Sequence, residues 1–464
     1  MVQLKKDEPI VIVGAGVFGL STALHLLERG YTDVTLLERG KDVPARDSAG
    51  YDLNKIVRSS YSDPFYTELA RDAIRLWKGS EWKGCYHESG VFVPFSKTNP
   101  VYVREAYEND ISQGARVSEF RTEADARQVF PEGVPLGVDF STAEGTSGKP
   151  DLKAYMNHDG GWAESGRSLD VLLERVRAMG AKVFADKEVS GTIQAQSDRL
   201  NDPRADAVAG VRCADGSGYE ASVVIVAAGA WTPMLMQRWG LESQSAQEKL
   251  GADSGMHVGV GMATGQTVAM IQLTPEDAER YRSCPVVLDF GSGFYIFPPT
   301  ADNVVKCAIH GNGYLHRVSE SSPSAPRTAL TDGKDGLRIP KDAVQALREG
   351  LRGVYPELAK KAFTGTRLCW YNDSSDDDWV IGRHPTLHGI VFATAGNGHA
   401  FKFLPNIGRL VADALEDKLT PEVAARFAPH RAPNAHAPSR GGPPTRPLDL
   451  GQLCERTDLD GDSA

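Results

Sequence analysis

Cys369 and Tyr371 stand two apart in the apolar run of TRLCWYNDSSDDD, residues 366–378. In an extended strand such residues share a face, so a nucleophilic thiol and a phenol able to contact a substrate would project together. The competing reading is a small, buried packing cysteine. The NDSSDDD that follows reads as a solvated turn, with metal ligation as the minor alternative. Lys55 and Arg58 lie three apart in SAGYDLNKIVRSSYSDP, residues 48–64. On a helical turn they would share a face and form a cationic pocket; a solvated basic pair is the alternative. GFYIFPPTADNVVKCAIHG, residues 293–311, reads as a β-hairpin turning near Thr300 and Ala301. That centre sets Tyr295 opposite Lys306, and the even offset from Lys306 to His310 puts both on one face. Ordinary polar residues facing solvent remain the alternative there.

These side chains need a scaffold. Residues 9–38 run strand, glycine turn, helix, strand: one βαβ unit opening a parallel sheet. Gly14-Ala-Gly16-Val17-Phe18-Gly19 forms its turn. The first glycine permits the turn, the second lets backbone approach a pyrophosphate, and the third lets helix and strand pack. The helix N-terminus would face the phosphates, and Glu38, ending the second strand, is placed for the adenosine ribose. FAD and NAD share this fingerprint. ASVVIVAAGAW (221–231) reads as a later strand of the same sheet, and GIVFATAGNGHAFKFLPNIGRLVADALE (389–416) repeats the strand, glycine turn, helix order. VVIVAAGAW resembles the second nucleotide-contacting strand of FAD enzymes of the glutathione-reductase superfamily, which favours FAD; a buried strand with a tight turn is the alternative. In GNGHAFKF (396–403), backbone amides would stabilise charge on a reduced flavin, and Lys402 would hold an anionic substrate; a glycine-rich helix start with a surface lysine is the competing reading.

The expected fold is therefore α/β plus β. A discontinuous Rossmann-like FAD domain takes residues 1–90, 156–235 and 361–429, and a second, mixed or antiparallel-sheet substrate domain takes 91–155 and 236–360. The proline- and glycine-rich stretch 430–464 is expected to be an extended or disordered tail.

The 464 residues suffice for two or three domains, and a formal charge of -10 argues against general affinity for nucleic acid or anionic membrane. Six cysteines without CxxC spacing fit neither a zinc site nor a disulfide framework, so no metal is expected. No run approaches the roughly 18 apolar residues of a membrane span. With no signal peptide or peroxisomal address recognised, a cytoplasmic monomer is the expectation.

Together these motifs resemble the monomeric sarcosine oxidase family of FAD amine oxidases, particularly its fungal branch with amadoriases and saccharopine or pipecolate oxidases. The resemblance covers most of residues 8–420. It implies that Cys369 carries the flavin as a thioether and that Tyr371 is the active-site tyrosine. It further implies that Arg58 and Lys402 grip the substrate carboxylate, that Lys306 activates oxygen, that His310 is the substrate-side histidine, and that Tyr295, at the matching distance before Lys306, belongs to the catalytic set. Lys55 stands where bacterial sarcosine oxidases have arginine and amadoriases have lysine. The remaining cofactor contacts expected are Val17, Phe18, Arg39, Ser48, Val189, Gly398, His399 and Phe401. Amadoriases place a glutamate four residues after the oxygen-activating lysine, where this chain has His310. That makes a secondary-amine amino acid (N-methylated, N-alkylated or cyclic, such as sarcosine, pipecolate or saccharopine) the expected substrate. It would be oxidised with oxygen to an imine and hydrogen peroxide. A fructosyl amino acid, or a ring closure through an iminium, is the alternative; a flavoprotein that only binds is the remote one.

Overall fold

The computed structural model describes residues 4–95, 99–138, 152–195, 207–240, 259–434 and 439–461. The βαβ unit forms as read: strands Ile10–Val13 and Val34–Leu37 pair in parallel around helix Val17–Glu28. Strand Val223–Val226 pairs with Ile10–Val13 on its other side, and Ile390–Thr394 pairs with Val223–Val226, both in parallel. Three segments distant in sequence thus make the centre of one six-stranded sheet. These strands are fully buried and rich in Val and Ile, as expected of a parallel sheet covered on both faces.

The helix after the glycine turn packs on helix Ile407–Leu415 at a contact that excludes side chains. A Cβ on Gly408 would lie 2.1 Å from the Ser21 carbonyl oxygen. The Gly408 amide donates to Ser21 Oγ at 2.9 Å, and Ser21 Oγ donates to the Leu404 carbonyl at 2.8 Å.

The second layer is a ten-stranded mixed sheet that includes Val91–Pro94, Ala154–Asn157, Met262–Gln272, Phe294–Ile296 and Val304–Ile309. Strand Gly365–Asp373 belongs to it as well. It pairs antiparallel with Met262–Gln272 through nine residues, so the Cys369 strand lies in the substrate sheet rather than with the 361–429 piece of the FAD domain. Its side chains alternate: Cys369 and Tyr371 pack with Tyr295 and Phe297 on one face, and Leu368 and Trp370 with Phe294 and Ile296 on the other.

The described residues after 430 are not the loose tail the composition suggests. Arg431 and Arg440 are buried, Arg446–Pro447 pairs in parallel with Tyr314–Leu315, and Leu453 and Cys454 enter the core beneath the large sheet. The proline and glycine content of this stretch reflects a wrapping path that still buries charged and apolar anchors.

Candidate active site

A cavity of about 430 Å³ crosses the ends of the parallel strands. Gly14, Gly16, Val17, Phe18, Glu38, Arg39, Ser48, Val189, Gly398 and Phe401 all line it. Gly19 lies under the wall, where a Cβ would come 1.9 Å from the Gly14 carbonyl oxygen. Gly16 has open space where its Cβ would be, and it begins a helix with no side-chain cap. The first helical amides are therefore available to a phosphate. Glu38 accepts from the Ala15 and Gly40 amides, each at 3.0 Å, which fixes both carboxylate oxygens and leaves each a lone pair for ribose hydroxyls. These residues fit a dinucleotide.

Lys55, Tyr371 and Gly398 line the same cavity. Gly398 has φ +67, and a Cβ there would meet the Tyr371 ring at 2.1 Å, so only glycine lets this turn close on that phenol. Cys369 Sγ lies 3.8 Å from Lys55 Nζ and 4.0 Å from the Ala49 carbonyl oxygen. Lys55 and Ala49 belong to the cavity wall, as do Trp370 and Tyr371. The thiol is thus at the edge of the cofactor space.

Two sequence expectations change here. Lys55 sits in strand Asn54–Val57 and Arg58 directly follows it, with no helical turn between them. The β-branched Ile56 and Val57 favour extension, and three residues along extended chain reverse the side-chain direction. Lys55 therefore turns to Cys369 and Asp52, while Arg58 lies over the rings of Tyr61 and Phe290 at 4.3 and 4.8 Å. The hairpin is also shifted. Tyr295 pairs with Ala308, and Phe297 rather than Tyr295 stands against Lys306, its amide donating to the Lys306 carbonyl at 3.2 Å. The cause is the turn: Asn303, at φ 61, donates to the Thr300 carbonyl at 2.9 Å and moves the centre one residue along. A two-residue change of pairing preserves the face, so Tyr295, Lys306 and Tyr371 still converge. The Tyr295 and Tyr371 phenols interact, and the His310 ring lies 5.9 Å from that of Tyr371.

Lys306 is fully buried. Its ammonium donates to Asp52 at 2.8 Å and to the Asn54 carbonyl. Burial pulls its pKa down to about 8, against the opposing pull of Asp52. Burial alone would raise the Asp52 carboxyl, but Lys306, Lys55 and Arg367 hold it well below the usual range. His310 is pushed well below its usual pKa, first by burial and then by Arg440 and Arg58. It is therefore a neutral imidazole at working pH.

On the far side of Tyr61 stands Lys402, in the single 3₁₀ turn Ala400–Phe403. Its Nζ donates to the Tyr61 hydroxyl and the His399 carbonyl, each at 2.8 Å. Arg58 and Lys402 are thus brought to one tyrosine, 4.3 and 5.3 Å from its ring centre. Neither forms an ion pair among the described residues. His399, expected at the cofactor, turns its ring away into aromatic packing, stacked on Trp379 at 5.4 Å and edge-on to Tyr61 and Tyr66.

The acidic turn is a correction too. Asp373, Asp376 and Asp378 are buried rather than solvated. Arg440 binds Asp373 bidentately at 2.7 and 2.8 Å, Arg431 binds Asp376 at 2.7 and 2.8 Å, and Arg426 binds Asp378 at 2.7 Å. Arginine forks match carboxylates in this way. Among the described residues, no group of three or more His, Cys, Asp or Glu is arranged to hold a metal. Sequence reading missed Asp52, Tyr61 and Arg440. Asp52 and Tyr61 each stand three residues from a singled-out cation, which is the only local signal they carry.

The family model described as FAD dependent oxidoreductase matches residues 9–414. Among curated proteins, the chain is 28% identical to L-saccharopine oxidase of Schizosaccharomyces pombe, over 89% of this chain and 91% of that one. It is 23% identical to a monomeric sarcosine oxidase of a Bacillus species, over 87% and 91%. Among solved structures, the fructosamine oxidase Amadoriase II of Aspergillus fumigatus superposes with a TM-score of 0.77 at 27% identity, covering 97% of each chain.

Proposed function

Because the chain belongs to the FAD dependent oxidoreductase family, we propose that it oxidises a secondary-amine amino acid at the carbon–nitrogen bond, yielding an imine and hydrogen peroxide. The observation that carries this reading is the pair Arg58 and Lys402: two buried basic side chains on one tyrosine, neither of which forms an ion pair among the described residues. Two such charges are stable together only when an anion joins them, and a substrate carboxylate supplies it. Saccharopine and sarcosine, after which two of the relatives are named, are both secondary-amine amino acids.

FAD, held by the glycine turn and Glu38, would supply the two-electron acceptor for the C–H bond beside the amine and return the electrons to oxygen. The protein's own groups do the rest. Arg58 and Lys402 anchor the carboxylate, so that the amine is presented to the face carrying Tyr295, Tyr371 and His310 in a fixed orientation. Neutral His310 accepts a hydrogen bond from the amine rather than repelling it. Lys306, kept cationic by Asp52, places positive charge where oxygen is reduced. Lys55 holds Asp52 from the other side at 2.7 Å. Cys369 would tether the flavin as a thioether, and Cys369→Ala would then release yellow cofactor on acid precipitation while the wild-type protein retains its colour.

The likeness to Amadoriase II favours a fructosyl amino acid as the second reading. A single anaerobic experiment separates the two. N-methyl, N-alkyl and cyclic amino acids should bleach the flavin faster than fructosyl amino acids do; the reverse order would favour the second reading, and no bleaching by either class would sink both.

A further inference from the structure

Among the described residues the Lys402 ammonium has two acceptors, the Tyr61 hydroxyl and the His399 carbonyl. The Tyr61 hydroxyl is in turn 3.2 Å from Nδ1 of His399, whose Nε2 is 3.2 Å from the Asp377 carbonyl oxygen. A carbonyl can only accept, so the proton of the neutral ring sits on Nε2 and Nδ1 is left as an acceptor. Tyr61 therefore donates to Nδ1 and turns its oxygen lone pairs toward Lys402. The charges agree with this direction. His399 is pushed well below its usual pKa by burial and then by Lys402, with Arg58 and Arg440 adding to it, while the Asp377 carbonyl opposes. Burial raises the Tyr61 phenol, which keeps its proton.

The ring is fixed from behind as well. It stacks on Trp379 with an interplanar angle of 20°. The carbonyl it meets belongs to a turn whose neighbouring carboxylates, Asp376 and Asp378, are clamped by Arg431 and Arg426.

We propose that His399 is a positioning residue for the substrate carboxylate. By fixing the Tyr61 proton it holds the Lys402 ammonium in one place, leaving that ammonium's third proton for the substrate. The inference rests on the carboxylate role of Lys402 proposed above. His399 does not itself touch substrate.

The test compares holoenzymes carrying Tyr61→Phe, His399→Phe, both together, His399→Asn and Lys402→Met, by KM and by the limiting rate of anaerobic flavin reduction. Phe at 399 keeps the ring and its stacking; Asn offers an amide oxygen near the Nδ1 position. Tyr61→Phe and His399→Phe should each raise KM for the amino-acid substrate about tenfold, the scale of one lost hydrogen bond to a charged group, with the limiting rate changed less than about threefold. The double variant should be no worse than Tyr61→Phe alone, and His399→Asn should recover most of the loss. Additive losses in the double variant, or a loss confined to the limiting rate, overturn the proposal. Should His399→Phe yield no holoenzyme, Tyr61→Phe and His399→Asn decide: a wild-type KM in the first, or no better affinity in the second than in the first, overturns it. An unchanged KM in Lys402→Met instead overturns the carboxylate reading beneath it.

Discussion

Lys306 and Lys402 are both buried lysines beside one active site, yet they are held in opposite ways. Lys306 has a carboxylate at 2.8 Å, and Asp52 also takes Lys55 and the edge of Arg367. Lys402 has a phenol and a carbonyl, with a second cation, Arg58, on the same tyrosine. Burial lowers the pKa of both; that of Lys306 stops at about 8 because Asp52 resists, whereas that of Lys402 falls well below its usual value with Arg58 adding to the fall. A buried cation with its own counter-ion keeps its charge up to about pH 8, which suits a reaction in which oxygen gains electrons. One without a counter-ion is completed only by a ligand, which suits substrate selection.

Removing the built-in counter-ion breaks this contrast most severely. Asp52→Asn removes the carboxylate from fully buried Lys306 and half-buried Lys55 and should lower folding stability by about 3–5 kcal/mol, read as a lower midpoint of urea unfolding. Next, Lys306→Met should slow reoxidation by oxygen about 100- to 1000-fold, with a far smaller effect on anaerobic reduction; equal losses in both half-reactions would remove the special role of Lys306. Third, Arg58→Ala should raise KM by about 10- to 100-fold, and unchanged saturation would end the assignment. The smallest effect is in pH. Lys306 is cationic below its pKa of about 8 and neutral above it, so reoxidation should slow as pH rises through about 8. This dependence should disappear in Lys306→Met.

The parts of this site that were legible in sequence are local. The turn from Gly14 to Gly19, Glu38 at the end of its strand, and the Cys369–Tyr371 alternation depend on neighbours a few residues away, and all three form as read. What was hidden depends on long-range partners. The aspartates after Tyr371 looked solvated because the arginines that neutralise them, Arg431 and Arg440, come 55 and 67 residues later. Asp52 gains its meaning from Lys306, 254 residues on, and Tyr61 from Lys402, 341 residues on. For Lys55 and Arg58 the difference has a local cause: their separation suits a helix, but Ile56 and Val57 between them favour a strand. The hairpin pairing differs by two residues because Asn303, in left-handed conformation, moves the turn centre by one.

Arg58 and Lys402, neither in an ion pair among the described residues, await a substrate carboxylate. The most direct test of this is anaerobic flavin reduction by an N-methyl amino acid beside its methyl ester. The free acid should reduce the flavin with a saturable rate, and the ester, lacking the anion, should require concentrations at least about tenfold higher for the same rate. Equal reduction by acid and ester would contradict the account.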